Sequence, residues 1–405
     1  MMDRRRYVMA TFEDEKRQSS GGVTRRGVLT SLGAVLLSGC AGGMDGLLPD
    51  FGNAPAAKPA KPVVPDTAGG TRVALLLPLG AGGAVGRIAR SMKQAAQLAM
   101  IDAGNPGLTL VVKDTKGSAA GAAIAAKAAL GEGARLILGP LLAAEVQAVA
   151  AARPASLPVI AFSSQSAVAG NGVYLMSFLP EEEVANVIRH AAARGKRRIA
   201  AMLPQSAYGR IVGRALKSAA ARHGASIVRE DYFVATPTGI TSVAGRVAPQ
   251  LGGRADALFL PAAPGLVKAA AAPLKAGGFD PARIQLLGTG LWDGRAIRTV
   301  GLAHGGWYAG VEPRLVDYFA AHFARTYGKR PPRIASLAYD ATSLAIAAGR
   351  AGFSTSAIAS PKGYQGMNGL FRLKPNGLIE RGLAILSVGA AGPQVVAPPP
   401  QKFSS

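Results

Sequence analysis

The sequence predicts an α/β protein of two doubly wound parallel-sheet lobes with a ligand cleft between them. Short continuous apolar runs alternate with longer amphipathic ones, the signature of βαβ units. The alternation lapses near residue 180 and then begins again, so there are two such units in series. The chain of 405 residues is 49% hydrophobic, which suffices for two cores.

In the first half, Arg72–Leu77 carries an uninterrupted apolar run after its first residue, fit for a strand buried on both faces. Ala84–Ala103 follows with Val85, Ile88, Met92, Ala96 and Ala99 on one helical stripe. Leu108–Lys113 reads as a strand, Ser118–Leu130 as an Ala-rich helix, and Leu136–Leu138 as a strand ended by Gly139-Pro140. Leu142–Ala152 is helical and Leu157–Phe162 is a strand. In the second half, Glu181–Arg194 and Ile211–His223 are amphipathic helices around a strand at Arg198–Leu203. Ile227–Phe233, Ala257–Leu260 and Ile284–Leu287 are further strands. Leu315–Tyr327 and Ser336–Arg350 are helices. Gly369–Lys374 opens a hairpin with Asn376-Gly377 as its turn and Leu383–Val388 as the return strand.

Candidate site residues lie where strands end, because ligands of parallel sheets collect at the carboxyl edge. Ser163, Ser164 and Ser166 follow the fourth strand. Their hydroxyls and neighbouring N–H groups suit a carboxylate, or equally a turn and a helix cap. Tyr208 follows the first strand of the second half, and Asp293 follows a later one. Gly80, Gly82, Gly83 and Gly86 form G-x-G-x-x-x-G after the first strand, with Asp114 at the end of the second. This is near a dinucleotide fingerprint, but the last glycine is displaced by one. The other reading is a loop that admits close backbone approach. No bound cofactor is expected.

Four histidines, at 190, 223, 304 and 322, show no metal-ligand spacing. No nucleophile elbow, Walker loop or paired carboxylate is present, so neither a catalytic residue nor a metal site is expected. The formal charge of +23 reads as solvated surface or as attraction to an anionic membrane or wall polymer. No basic run is interleaved with aromatics, and no nucleic-acid partner is expected.

The one cysteine closes Leu37-Ser38-Gly39-Cys40, after an apolar run beginning at Val28 and the pair Arg25-Arg26. This is the pattern of a secretory signal, and its cut site resembles the lipobox of bacterial lipoproteins. The expectation is an export signal over 1–39, lipidation at Cys40, and a disordered Pro/Ala/Lys tether over 40–70. Residues 391–405 read as a disordered tail.

The segment RVALLLPLGAGGAVGRIARSMKQAAQLAMIDAG resembles the opening of type 1 periplasmic binding proteins of the leucine/isoleucine/valine-binding family. LILGPLLAAEVQAVA, LPVIAFSS, AYGR and GLFRLKPNGLIERGLAIL recur there in that order. GPLL and the lipidated cysteine are more similar to the penicillin-binding protein activators of that family. The resemblance implies lobe 1 over 71–178 plus 305–340 and lobe 2 over 179–304 plus 341–390, joined by three crossings. It implies a cleft lined by Gly80, Ser163, Ser164, Ser166, Tyr208 and Asp293, with the serines on a carboxylate and Asp293 on an amine. The acid expected before the Tyr-Gly pair is replaced by Gln205-Ser206. It implies a non-catalytic, lipid-anchored protein on the periplasmic side of the envelope. Its partner is then a peptidoglycan synthase, or alternatively an ABC permease supplied with a small amino-acid-like solute.

Overall fold

In the computed structural model, which describes residues 69–104 and 106–403, β1 (Thr71–Leu77) carries a solid buried run from Val73 to Leu77. Such a run needs cover on both faces, and helices supply it. After β1 come α1 (Gly83–Ala103), β2 (Leu108–Asp114), α2 (Ala119–Gly131) and β3 (Leu136–Leu138). Then come α3 (Ala143–Ala152), β4 (Val159–Ala161) and β5 (Val173–Leu175). The strands pair in parallel in the order β2-β1-β3-β4-β5, so the winding reverses between β1 and β3. Gly139 ends β3 at φ +92°, where an added Cβ would stand 2.1 Å from the carbonyl oxygen of Leu76. Only glycine lets the chain leave β3 against β1 in this way.

The second lobe starts with α4 (Pro180–Ala193), β6 (Arg198–Pro204), α5 (Ala207–Arg222) and β7 (Ser226–Phe233). It continues with α6 (Pro237–Val247), β8 (Ala257–Phe259), α7 (Pro264–Ala276), β9 (Gln285–Leu287), α8 (Arg295–Arg298) and β10 (Trp307–Gly310). The remainder is α9 (Pro313–Tyr327), α10 (Ser336–Gly349), α11 (Thr355–Ile358), β11 (Tyr364–Gly366), β12 (Gly369–Leu373), β13 (Ile379–Arg381), β14 (Ala384–Ser387) and β15 (Gln394–Ala397). The second sheet has the order β15-β14-β10-β9-β8-β6-β7, with β14 and β15 antiparallel. β11, β12 and β13 form a small antiparallel sheet of their own.

The C-terminal third is divided differently from the sequence expectation. Trp307–Gly310 pairs with β9 and β14, so it belongs to the second lobe and not the first. α10 lies along α1, and its whole length is buried in the first lobe. The small sheet joins it there, because Phe371, Leu373 and Ile379 bury in the same core as β1 and α1. The return strand after Asn376-Gly377 is Ile379–Arg381, opposite Phe371–Leu373. Ala384–Ser387 instead crosses to the second sheet. The expected tail forms β15 on that sheet, and Phe403 lies under the Arg372 guanidinium at 4.6 Å. The export signal, Cys40 and the tether up to residue 68 lie outside the described residues.

The chain passes between lobes three times, after β5, after β10 and after β13. One residue from each passage meets in a single apolar cluster: Phe178, Val311 and Leu383.

Candidate functional site

A cavity of about 370 Å³ opens at the carboxyl edge of the first sheet. Leu141 and Leu142 leave β3, Phe162 to Gln165 leave β4, and Ser177-Phe178 leaves β5; Arg333 and Leu337 close it from the head of α10. It therefore sits beside the reversal of winding, the position parallel sheets offer to ligands. Of the expected residues, Ser163 and Ser164 line it. Ser163 is buried and accepts a hydrogen bond from the N–H of Gln165 at 3.2 Å, while Ser164 is exposed.

The other expected residues are engaged elsewhere. Ser166 donates to Glu181 Oε1 at 2.7 Å, joining the first lobe to the start of α4. The Tyr208 hydroxyl meets Thr289 Oγ1 at 2.7 Å. Burial pushes the Tyr208 phenol well above its usual range, so it stays a neutral hydroxyl. Gly80 lies apart from the cavity lining, with its N–H on Asp114 Oδ1 at 3.1 Å. Asp114 also accepts from the N–H of Lys116 at 2.8 Å, so its carboxylate holds its own loop. At Gly86 an added Cβ would lie 1.8 Å from the Ala81 carbonyl oxygen. Close backbone approach thus accounts for Gly86, and a positive φ of +60° for Gly83, while a Cβ at Gly82 would meet nothing.

Asp293 meets a different partner from the amine expected of it. Its carboxylate forms a 2.6 Å ion pair with Arg333, linking the second lobe to the first. The Arg333 guanidinium also stacks over the Phe178 ring at 4.3 Å. Behind the pair lies Glu183, enclosed in the first turn of α4, whose carboxylate accepts the N–H of Gly290 at 2.9 Å. Burial raises its carboxyl above the ordinary range, although Arg333 and the Gly290 N–H both pull it down. The cleft thus holds a bridge of Phe178, Arg333 and Asp293, with Glu183, Thr289 and Tyr208 behind it.

Sequence reasoning missed Arg333, Glu183 and Phe178. Glu183 reads as one of three acids at a helix start, where the dipole alone explains it. Arg333 is one basic residue among many. Its position after Pro331-Pro332, at the head of a helix rich in Ala and Leu, is the only local hint.

Two doubly wound lobes, joined by three strand-end passages and facing each other across a cleft, define a bilobal binding protein. The chain belongs to the periplasmic binding protein family, whose model matches residues 70–392. No curated protein matches it. A solved structure similar to it is a putative branched-chain amino acid ABC transporter from Rhodospirillum rubrum. The two share 19% identity and a TM-score of 0.72, over 81% of this chain and 100% of the other. The C-domain of LpoA from Haemophilus influenzae, a regulator of PBP1A, matches with 18% identity and TM-score 0.64, over 81% of this chain and 100% of that one. LivJ from Streptococcus pneumoniae, solved with isoleucine, matches with 17% identity and TM-score 0.56, over 81% and 100%.

Proposed function

We propose that this is a non-catalytic envelope protein that regulates peptidoglycan synthesis by contact with a synthase, in the manner of a penicillin-binding protein activator. The observation carrying this reading is the Asp293–Arg333 ion pair. A zwitterionic solute needs an acid for its amine, because an unpaired buried charge is costly. The only acid the sequence offered for that task is neutralised from the facing lobe. Tyr208 and Ser166 are likewise held by Thr289 and Glu181. The likeness to the LpoA C-domain agrees with this reading. Cys40 would anchor the body on the periplasmic side of the envelope, with the following segment as its tether.

A second reading, a receptor delivering a small solute to an ABC permease, is favoured by the 370 Å³ cavity with Ser163 and Ser164 in its wall. Calorimetry against amino acids and small amides decides between them. Micromolar binding that is lost in Asp293→Ala establishes the receptor and rejects the regulator. Absence of heat, with stimulation of glycan polymerisation by a purified bifunctional synthase, supports the regulator.

A further inference from the structure

We propose that the protein binds a multivalent oxyanion of the pyrophosphate type in an arginine-walled cavity spanning the two lobes beside the cleft. The cavity has a volume of about 550 Å³. Arg295 and Arg298 form its wall on the second lobe, and Arg330 its wall on the first. The loop between β14 and β15, at Ala391 to Pro393, closes one side.

The charge in this cavity is unbalanced. Asp317 is the single carboxylate in the lining, against three guanidinium groups. It pairs with Arg330 at 3.2 Å, but both side chains are largely exposed, so water screens the pair. Arg298 is the anchor. Its backbone is fixed, since Ile297 beside it is buried in the second lobe's core and its carbonyl lies 2.8 Å from His304 Nε2. Its Nη1 makes only a long 3.4 Å contact with the Ala391 carbonyl, and its Nε is buried with no hydrogen-bond partner. A buried donor left unmatched costs free energy, and an oxyanion in the cavity supplies the missing acceptor.

Arg295 and Arg298 stand three residues apart on one helical turn and so face the same way. Guanidinium forks match phosphate or carboxylate oxygens in pairs, and a polar cavity with net positive charge favours more than one anionic group. Phosphate is the class proposed, because pyrophosphate carries several anionic oxygens on two linked groups, which suits a lining with three guanidinium groups. The cavity also shares both its walls with the ion pair of the cleft. Asp293 precedes Arg295 on one side, and Arg333 follows Arg330 on the other. An anion bound by both walls therefore holds the lobes at the spacing that the ion pair requires.

The test is calorimetry of the whole chain with inorganic pyrophosphate at constant ionic strength, with orthophosphate and citrate as separate arms. Saturable binding is expected for pyrophosphate, weaker for the other two. Arg298→Gln should weaken it at least about tenfold. Arg295→Gln and Arg330→Gln change exposed residues, so they carry the test if Arg298→Gln does not fold; each should weaken binding without moving the unliganded melting temperature. No saturable heat with pyrophosphate overturns the proposal, as does an affinity unchanged from the parent in all three variants. Orthophosphate binding as tightly as pyrophosphate rejects the multivalent ligand, and citrate binding more tightly rejects phosphate.

Discussion

Arg381 donates from Nε to the carbonyl oxygen of Ser177 at 2.9 Å, tying the third passage between lobes to the first. The guanidinium is buried under the Phe178 ring at 4.8 Å, and burial lowers its pKa to about 10. Its charge is answered by Asp340 in α10, a fully buried carboxylate that accepts the Met367 N–H at 2.6 Å and the Asn368 amide at 2.7 Å. The hinge is therefore built around two buried charges, where removing one strands the other.

Arg381→Met should destabilise the protein by about 3–5 kcal/mol, and Asp340→Asn by a similar amount. The double variant should recover part of the loss, since neither charge is then left alone. Urea midpoints of the four proteins in the cycle check this, and strict additivity would contradict it.

The Asp293–Arg333 pair is only partly buried, so its coupling should be modest. A double-mutant cycle with Asp293→Asn and Arg333→Gln should return about 1 kcal/mol. Loss of the bridge should also raise the radius of gyration in solution scattering, because these two side chains span the cleft. Unchanged scattering in both single variants would count against the bridge as an interlobe latch.

Glu145 predicts a pH effect. Its side chain is buried in the first turn of α3, accepting from the Thr115 hydroxyl at 2.6 Å and the Leu142 N–H at 3.2 Å. Burial still raises its pKa above the unfolded value. The folded form therefore holds the proton longer. Its contribution to stability is full below the ordinary carboxylate range and declines as pH rises through the raised value. Glu182, Glu183 and Asp340 are raised by burial in the same direction, so the readout is a difference. Relative to the parent, Glu145→Gln should gain stability as pH goes from about 4 to 7, on top of a constant cost from the lost Leu142 bond. Parallel curves would rule the effect out.

Gly290 has no room for a side chain, since an added Cβ would lie 2.2 Å from Glu183 Oε1. Gly290→Ala should cost about 1–3 kcal/mol, the usual penalty of overpacking. Glu183→Ala in the same chain should return much of it by vacating the space. Thermal melts of the single and double variants test the rescue.

The strands that face helices on both sides were legible because burial leaves a plain mark. β1 and β3 carry unbroken apolar runs, Val73–Leu77 and Leu136–Leu138, and the structure places the strands within a residue of the expected bounds. The C-terminal third was harder to read. Leu383–Val388 looks like a hairpin return, but nothing local says that the chain has just changed lobes at Arg381. β5 and β10 also escaped, being short segments paired with strands distant in sequence. At the cleft, the serine loop could be placed from strand ends alone. The pairing of Asp293 with Arg333 could not, because it joins two lobes whose relative position no sequence pattern encodes.

The interleaving of the lobes bears on the order in which the protein acquires structure as it is made. The five parallel strands of the second lobe, β6 to β10, emerge from the ribosome as one continuous stretch. The first lobe must wait. α10, which covers α1, and the Phe371–Ile379 sheet that seals its core arrive only after that stretch is complete. A chain released before residue 336 would carry a nearly finished second lobe beside a first one still lacking α10, with the face of α1 that α10 covers open to water.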